Sequence, residues 1–118
     1  MIGPDELRRC SRLHRKSMML AEQASLEHMR GRHNRGRKLM RDAYNAEREA
    51  ASVVAPHLHM DPTRSVLHHS AAWLALNCGE AAEAEHLVSE ALDGFPPSDI
   101  AEELCEIKIL ASAEKEDA

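Results

Sequence analysis

Apolar residues recur along the chain at intervals of three and four positions, in blocks separated by glycine and proline. The clearest block holds Ala84, Leu87, Val88, Ala91 and Leu92, which follow the spacing i, i+3, i+4, i+7, i+8. Such spacing places the apolar side chains on one face of a helix, whereas a strand would alternate them. The sequence therefore predicts an all-α protein of about five amphipathic helices.

Glycine and proline mark the ends of these blocks, because glycine ends helices and proline is tolerated in a helix's first turn. The predicted helices cover residues 4–30, about 34–55, 61–78, 80–93, and from Ser98 or Asp99 onward. The tail, residues 114–118, is predicted to fray. Short connections favour antiparallel packing of neighbouring helices.

The composition agrees with this prediction and excludes other fold classes. A chain of 118 residues forms one domain with a modest core, and 3% aromatic residues leave little material for a β-sandwich or barrel. No apolar run reaches the length of a membrane span, and no apolar signal segment begins the chain, so we expect a cytoplasmic protein outside the membrane. The sequence contains three cysteines, Cys10, Cys78 and Cys105. An odd number of widely separated cysteines favours reduced thiols over a disulfide framework. Cys10 and Cys105 fall on apolar stripes, where we expect burial.

Two segments repeat one pattern, beginning at Gly31 and at Gly79. In each segment a small residue comes five positions after the glycine, an apolar residue nine positions after it, an alanine twelve positions after it and another apolar residue thirteen positions after it. Glycine suits the turn between two helices, and small residues allow the second helix to approach the first closely. The matching pairs are Gly36 and Ala84, Met40 and Val88, Ala43 and Ala91, and Tyr44 and Leu92.

This pattern resembles the tetratricopeptide repeat, and the resemblance is best over residues 65–96, where Gly79, Ala84, the Ala91-Leu92 pair and Pro96 match. The first-helix signature of that family is replaced here by His68, Ala71, Ala72 and Ala75. The resemblance implies a single domain, 1–118, of antiparallel helical hairpins. Its parts are a degenerate first hairpin (1–56), a second hairpin (61–96) and a capping helix (98–113). The other interpretation is a generic helical bundle.

Members of that family bind proteins or peptides in a concave groove lined by the first helix of each hairpin. Carried onto this sequence, the groove residues are Val66, His69, Trp73 and Leu76. A tryptophan at such a place would anchor a partner, which could be an extended peptide, a helix or a second copy of the chain. The alternative, which we favour from sequence, is that Trp73 lies in the core, because a small chain needs its few large residues inside.

Charge is distributed unevenly along the chain. Residues 1–50 carry 12 Lys+Arg against 7 Asp+Glu, a balance of +5, and residues 51–118 carry 3 against 13, a balance of -10. Complementary halves of this kind could pair in a homo-oligomer. The basic residues concentrate around the first inter-helix turn, in a basic cluster of Arg30, Arg32, Arg35, Arg37, Lys38 and Arg41. Three interpretations of this cluster are open: a solvated helix face, a surface that binds acidic protein, or a site for anions or nucleic acid.

No residue pattern indicates catalysis, a metal or a cofactor. His68 and His69 are adjacent, so on a helix they point about 100° apart and cannot share an ion. The sequence contains no nucleophile elbow, phosphate loop or dinucleotide glycine pattern. We therefore expect a non-catalytic protein–protein interaction or scaffold module. The alternative is an anion- or nucleic-acid-binding module that uses the basic cluster.

Overall fold

The structure, a computed structural model, describes residues 1–117 and shows an all-α fold with no strand in that range. Its helices are α1 (Pro4–Met29), α2 (His33–Val54), α3 (Thr63–Asn77), α4 (Ala81–Leu92) and α5 (Ser98–Asp117), with a short 3-10 helix, η1 (Leu58–Met60), before α3. The predicted helices are confirmed, and their ends differ from prediction by only a few residues. None of the helices in the described range combines the length and apolar character needed to cross a membrane.

The tail differs from the prediction, since the helix continues to Asp117. The reason is a tie to α4: the Ser112 hydroxyl donates to Glu85 Oε1 at 2.9 Å, and Lys115 Nζ donates to Glu85 Oε2 at 3.0 Å. These hydrogen bonds lower the pKa of Glu85. Ala118, the last residue of the predicted frayed tail, lies outside the described residues.

Helices α1 and α2 form an antiparallel hairpin whose polar contacts run in opposite order along the two helices. Cys10 Sγ donates to the Ala50 carbonyl at 3.6 Å, and Ser17 Oγ, two turns later, donates to the Ala43 carbonyl at 2.8 Å. The turn between the helices contains Gly31, whose φ of 78° lies in the left-handed region that glycine adopts without strain.

Each later helix packs mainly on its neighbour in the chain, and α3 also contacts α5. The molecule measures 44 × 34 × 20 Å. A thickness of 20 Å corresponds to two layers of helices, because one helix with its side chains is about 10 Å wide. The fold is therefore an elongated slab of successive hairpins with little depth for a large central core.

Alanine at the helix contacts lets the helices of this slab lie close together. The larger fully buried apolar side chains include Tyr44, Leu104 and Ile107. Cys10 is buried, as expected, whereas the expectation for Cys105 is wrong, because Cys105 lies on the exposed side of α5. The alanines with no solvent exposure are Ala24, Ala43, Ala50, Ala51, Ala71, Ala72, Ala75, Ala84, Ala91 and Ala111.

A buried arginine joins three helices. Arg64 is 2% exposed, and its guanidinium donates to the carbonyls of Ala55 at 2.8 Å, Glu90 at 2.9 Å and Ala91 at 3.4 Å. These carbonyls lie at the C-terminal ends of α2 and α4, where helices leave acceptors unpaired and the helix dipole favours a cation. Arg64 therefore holds the starting end of α3 against the closing ends of its two neighbours.

Asp61 completes this junction. One of its carboxylate oxygens accepts from the Ser65 backbone N–H at 2.8 Å, and the other accepts from the Phe95 N–H at 2.6 Å. Gly94 lies beside both charged groups: a Cβ there would be 2.6 Å from Arg64 Nη1 and 2.8 Å from Asp61 Oδ2. A side chain at this position would push the two groups aside, which explains the need for glycine.

Candidate functional site

The predicted groove residues lie along one stripe of α3 and are unequally exposed. Val66 is 39% exposed and Trp73 is 48% exposed, while Leu76 is half-buried and packs against the core. His69, also half-buried, places Nε2 3.2 Å from Glu103 Oε2 of α5. The structure thus brings these four residues to one face, which we call the α3 face.

The placement of Trp73 in the core is wrong. Ala71, Ala72 and Ala75, on either side of it in the sequence, are fully buried where α3 meets the rest of the fold. Since successive helical residues are rotated by about 100°, Trp73 points away from that contact. Alanine also brings the helices too close together to leave space for an indole ring between them.

Helix α5 extends the α3 face with residues that the sequence analysis did not select. The two helices run parallel, because each is antiparallel to α4, and the His69–Glu103 pair sets their register. Glu106 and Leu110 follow Glu103 by one and two turns and are exposed. The signal in the sequence was Leu110 itself, an apolar residue beside the buried stripe of Leu104, Ile107 and Ala111.

The structure divides the basic cluster into two groups. Arg30, Arg32 and Arg35 surround the carboxylate of Glu27, with N–O distances of 3.2, 3.4 and 3.6 Å. Glu27 is buried, so its charge is shielded from water and requires these cations. This first group is therefore largely occupied by an intramolecular role.

The second group, Arg37, Lys38 and Arg41, lines a cavity of about 440 Å³. Arg41 bridges the basic and acidic parts of the chain: Nη1 is 3.0 Å from Glu80 Oε1, and Nη2 donates to the Cys78 carbonyl at 3.2 Å. Two further residues at the walls of this cavity are His28, from the end of α1, and Asn77, from the end of α3.

A buried histidine joins α3 to α4. His68 Nδ1 lies 2.8 Å from the Arg64 carbonyl, and Nε2 lies 2.7 Å from Glu90 Oε1. Each ring nitrogen thus faces an oxygen atom, one on its own helix and one on α4, so the imidazole links the start of α3 to the last turn of α4. His68 has no solvent exposure and lies at the interface between α3 and α4.

A second histidine–carboxylate pair joins α1 to α2. Both carboxylate oxygens of Glu47 lie within 3.0 Å of His14 Nδ1, and Glu47 has no solvent exposure. Burial raises the pKa of Glu47, and hydrogen bonds from His14 and Ser70 oppose that shift. The signal in the sequence was the position of Glu47 among Ala43, Ala46 and Ala50, on the apolar stripe of α2.

Cys10 lies one turn before His14, so this region contains the residue types of a cysteine–histidine–carboxylate triad. A catalytic thiol needs a lowered pKa. Burial and the charge of Glu47 instead raise the pKa of Cys10, and its thiol donates to the Ala50 carbonyl. The geometry fits a packing role for Cys10.

Within residues 1–117, no three His, Cys, Asp or Glu side chains are grouped so that they could hold a metal ion. Comparison of the chain with known protein families, curated proteins and solved structures finds no match. The surface of the molecule itself is therefore the basis for assigning a function.

Proposed function

We propose that this chain is a non-catalytic, cytoplasmic helical-repeat module that binds another protein through the α3 face. The observation that carries the proposal is the exposure of Trp73, the only tryptophan of the chain. Tryptophan is among the residue types enriched at the positions that dominate the energy of protein interfaces, and burying its exposed surface against a partner is favourable.

The surroundings of Trp73 support a binding surface. The alanine contacts beneath α3 hold the helix close to its neighbours, and the His69–Glu103 pair ties it to α5. The indole is therefore presented from an ordered helix, so binding would cost this chain less conformational entropy than it would if Trp73 lay on a mobile loop.

The backbone also supports the repeat interpretation. Gly31 and Gly79, the aligned starting points of the repeated pattern, have φ values of 78° and 76°. Gly36 and Ala84, the aligned small residues, are both buried in the helices that follow. The same sequence pattern thus accompanies the same turn and the same close helix contact in both hairpins.

The charges near Trp73 define the partner's chemistry. Glu103 and Glu106 lie on the side of α5 that continues the α3 face, and both are exposed. We expect a protein segment with a large apolar anchor for Trp73 and flanking lysine or arginine for α5. Complementary charge would orient such a segment and speed its association.

The test is affinity capture from nuclease-treated native lysate with wild-type protein, Trp73→Ala and the control Phe95→Ala. Phe95 is an exposed aromatic residue outside the α3 face, so its removal controls for general loss of apolar surface. A specific partner should be lost with Trp73→Ala and retained with Phe95→Ala. Binding of this partner should also shift the tryptophan emission of the wild-type protein to shorter wavelength. Full retention of every captured protein by a folded Trp73→Ala variant would contradict the proposal.

A further inference from the structure

We propose that the cavity lined by Arg37, Lys38 and Arg41 binds the phosphoryl group of a small phosphomonoester. This site is separate from the α3 face and independent of the proposed protein binding. It occupies the meeting point of the α1–α2 turn and the end of α3, and its volume is about 440 Å³.

The side chains that line this cavity carry positive charge that no acidic lining residue in the described part of the chain balances. Arg37 donates only to the neutral side chain of Asn34, and Lys38 lies 3.4 Å from Asp42 in an exposed i,i+4 pair. Exposed pairs of that kind are weak and yield readily to a better anion. None of the side chains that line the cavity in the described part of the chain is acidic.

The division of the basic cluster strengthens this argument. The arginines of the first group are held by Glu27, at distances of 3.2–3.6 Å. The carboxylates that meet the second group are more accessible than Glu27, since the side chains of Asp42 and Glu80 are 43% and 44% exposed. A bound anion would therefore gain most from the second group.

The donor geometry fits a phosphoryl group. Guanidinium groups present paired N–H donors that match phosphate oxygens, and an ammonium adds a point charge. Arg41 is already oriented by Glu80 and by the Cys78 carbonyl, so its ordering cost is met before a ligand arrives. The neighbouring wall of Met40 and Cys78 is apolar, and the cavity is larger than one phosphate needs. These features favour a phosphate ester with an organic portion.

His28 forms a further wall of the cavity, and the structure holds it in place. Its ring lies against Gly36, where a Cβ would be 2.7 Å from His28 Nε2. On its other side, His28 Nδ1 is 3.1 Å from His33 Nδ1. The glycine thus allows the imidazole to lie over the first turns of α2, beside the three cations.

A second, larger cavity provides a contrast. It measures about 820 Å³ and lies between α2 and α4. Its walls carry both signs of charge, including Arg48, Glu49, Glu83 and Glu90. An anion placed there would meet carboxylates as well as guanidinium groups, so size alone does not identify the anion site.

The experiment is isothermal titration calorimetry with phenyl phosphate as the probe, at about 0.15 M ionic strength, where charges more than about 8 Å apart are largely screened. The Arg37→Ala/Lys38→Ala double variant should weaken binding by about tenfold or more, because it removes two charge-assisted contacts. The matched control, Arg32→Ala/Arg35→Ala, removes the same charge from the first group and should change affinity less than about twofold. Circular dichroism establishes that both double variants fold.

A third variant tests the site by strengthening it. Asp42→Asn removes the carboxylate that competes for Lys38, so it should tighten phenyl phosphate binding. Unchanged or weaker binding by Asp42→Asn would contradict the assignment, as would the absence of binding to wild-type protein. Equal losses in the two double variants would also overturn it, since they would indicate the general field of the basic cluster. If the wild-type protein binds single-stranded RNA and the two double variants weaken that binding equally, the basic cluster is a nucleic-acid surface instead.

Discussion

Replacing Arg64 with methionine tests whether the buried guanidinium holds the hairpins together. Methionine retains much of the side chain's length and apolar stem while removing the donors. Two backbone carbonyls, those of Ala55 and Glu90, would lose donors held at 2.8 and 2.9 Å, while the Ala91 carbonyl would lose a longer contact of 3.4 Å and keep its bond from the Gly94 N–H. They lie at the ends of two different helices, so the loss loosens the junction of α2, α3 and α4.

The size of the effect follows from these contacts. A hydrogen bond from a charged donor contributes about 1.5–3 kcal/mol, so the two short bonds together amount to about 3–6 kcal/mol. Water can reach the part-buried carbonyls of Ala55 and Glu90 in the variant, which favours the lower half of that range. We expect Arg64→Met to lower the free energy of unfolding by about 3–4 kcal/mol, a large part of the 5–15 kcal/mol typical of a domain.

Thermal and urea unfolding followed by circular dichroism provide the measurement. For a chain of this length, about 3–4 kcal/mol corresponds to a fall in Tm of roughly 12–16 °C. The control is Arg15→Met, which makes the same chemical change at an exposed position on α1 and should have little effect.

Arg64→Lys separates charge from hydrogen-bonding geometry. Lysine keeps a cation near the two helix ends but cannot reproduce the planar fork of donors. We expect the free energy of unfolding of Arg64→Lys to lie between that of the wild-type protein and that of Arg64→Met. A loss below about 1 kcal/mol for Arg64→Met would refute the reasoning, because that is the range of an ordinary surface contact.

Two further predictions concern buried charge and assembly. Burial raises the pKa of Glu47, so the folded protein binds a proton at this carboxylate more tightly than the unfolded chain does. The free energy of unfolding should therefore fall as pH rises from the ordinary glutamate pKa through the raised pKa of the folded state. Glu47→Gln should remove this component from melts recorded as a function of pH, and an unchanged profile would contradict it. If the basic and acidic halves pair between copies, sedimentation should show an oligomer at low salt that dissociates as salt rises. A mass that does not change with salt would exclude this mode of assembly.

Local patterns in the sequence were sufficient to predict the helices. The spacing of apolar residues and the breakers at Gly31, Pro56 and Gly79 act within a few residues of the backbone they shape. The structure accordingly has helices close to the predicted positions, with positive φ at both turn glycines. The four predicted groove residues came from the family resemblance, and their helical spacing accounts for their position along one stripe of α3.

The tertiary structure decided which helix faces are covered. Trp73 and Cys105 are exposed although the sequence analysis expected both to be buried, while Glu47 is buried in spite of its charge. Periodicity defines the faces of a helix, but burial depends on which neighbour packs against each face and how closely. That distance depends on alanines far apart in sequence, which cannot be matched to each other before the fold is known.

The same distinction applies to the charges. Composition revealed a basic cluster, but every arginine and lysine in it is equivalent at the level of sequence. Arg30 follows Glu27 by three residues, but only the fold also brings Arg32 and Arg35 to Glu27 and leaves the other group at a cavity between α2 and the end of α3. The sequence by itself therefore determined the helices and their amphipathic faces. The tertiary structure decided which side chains are buried, paired or free to bind, because those properties arise from contacts between distant segments.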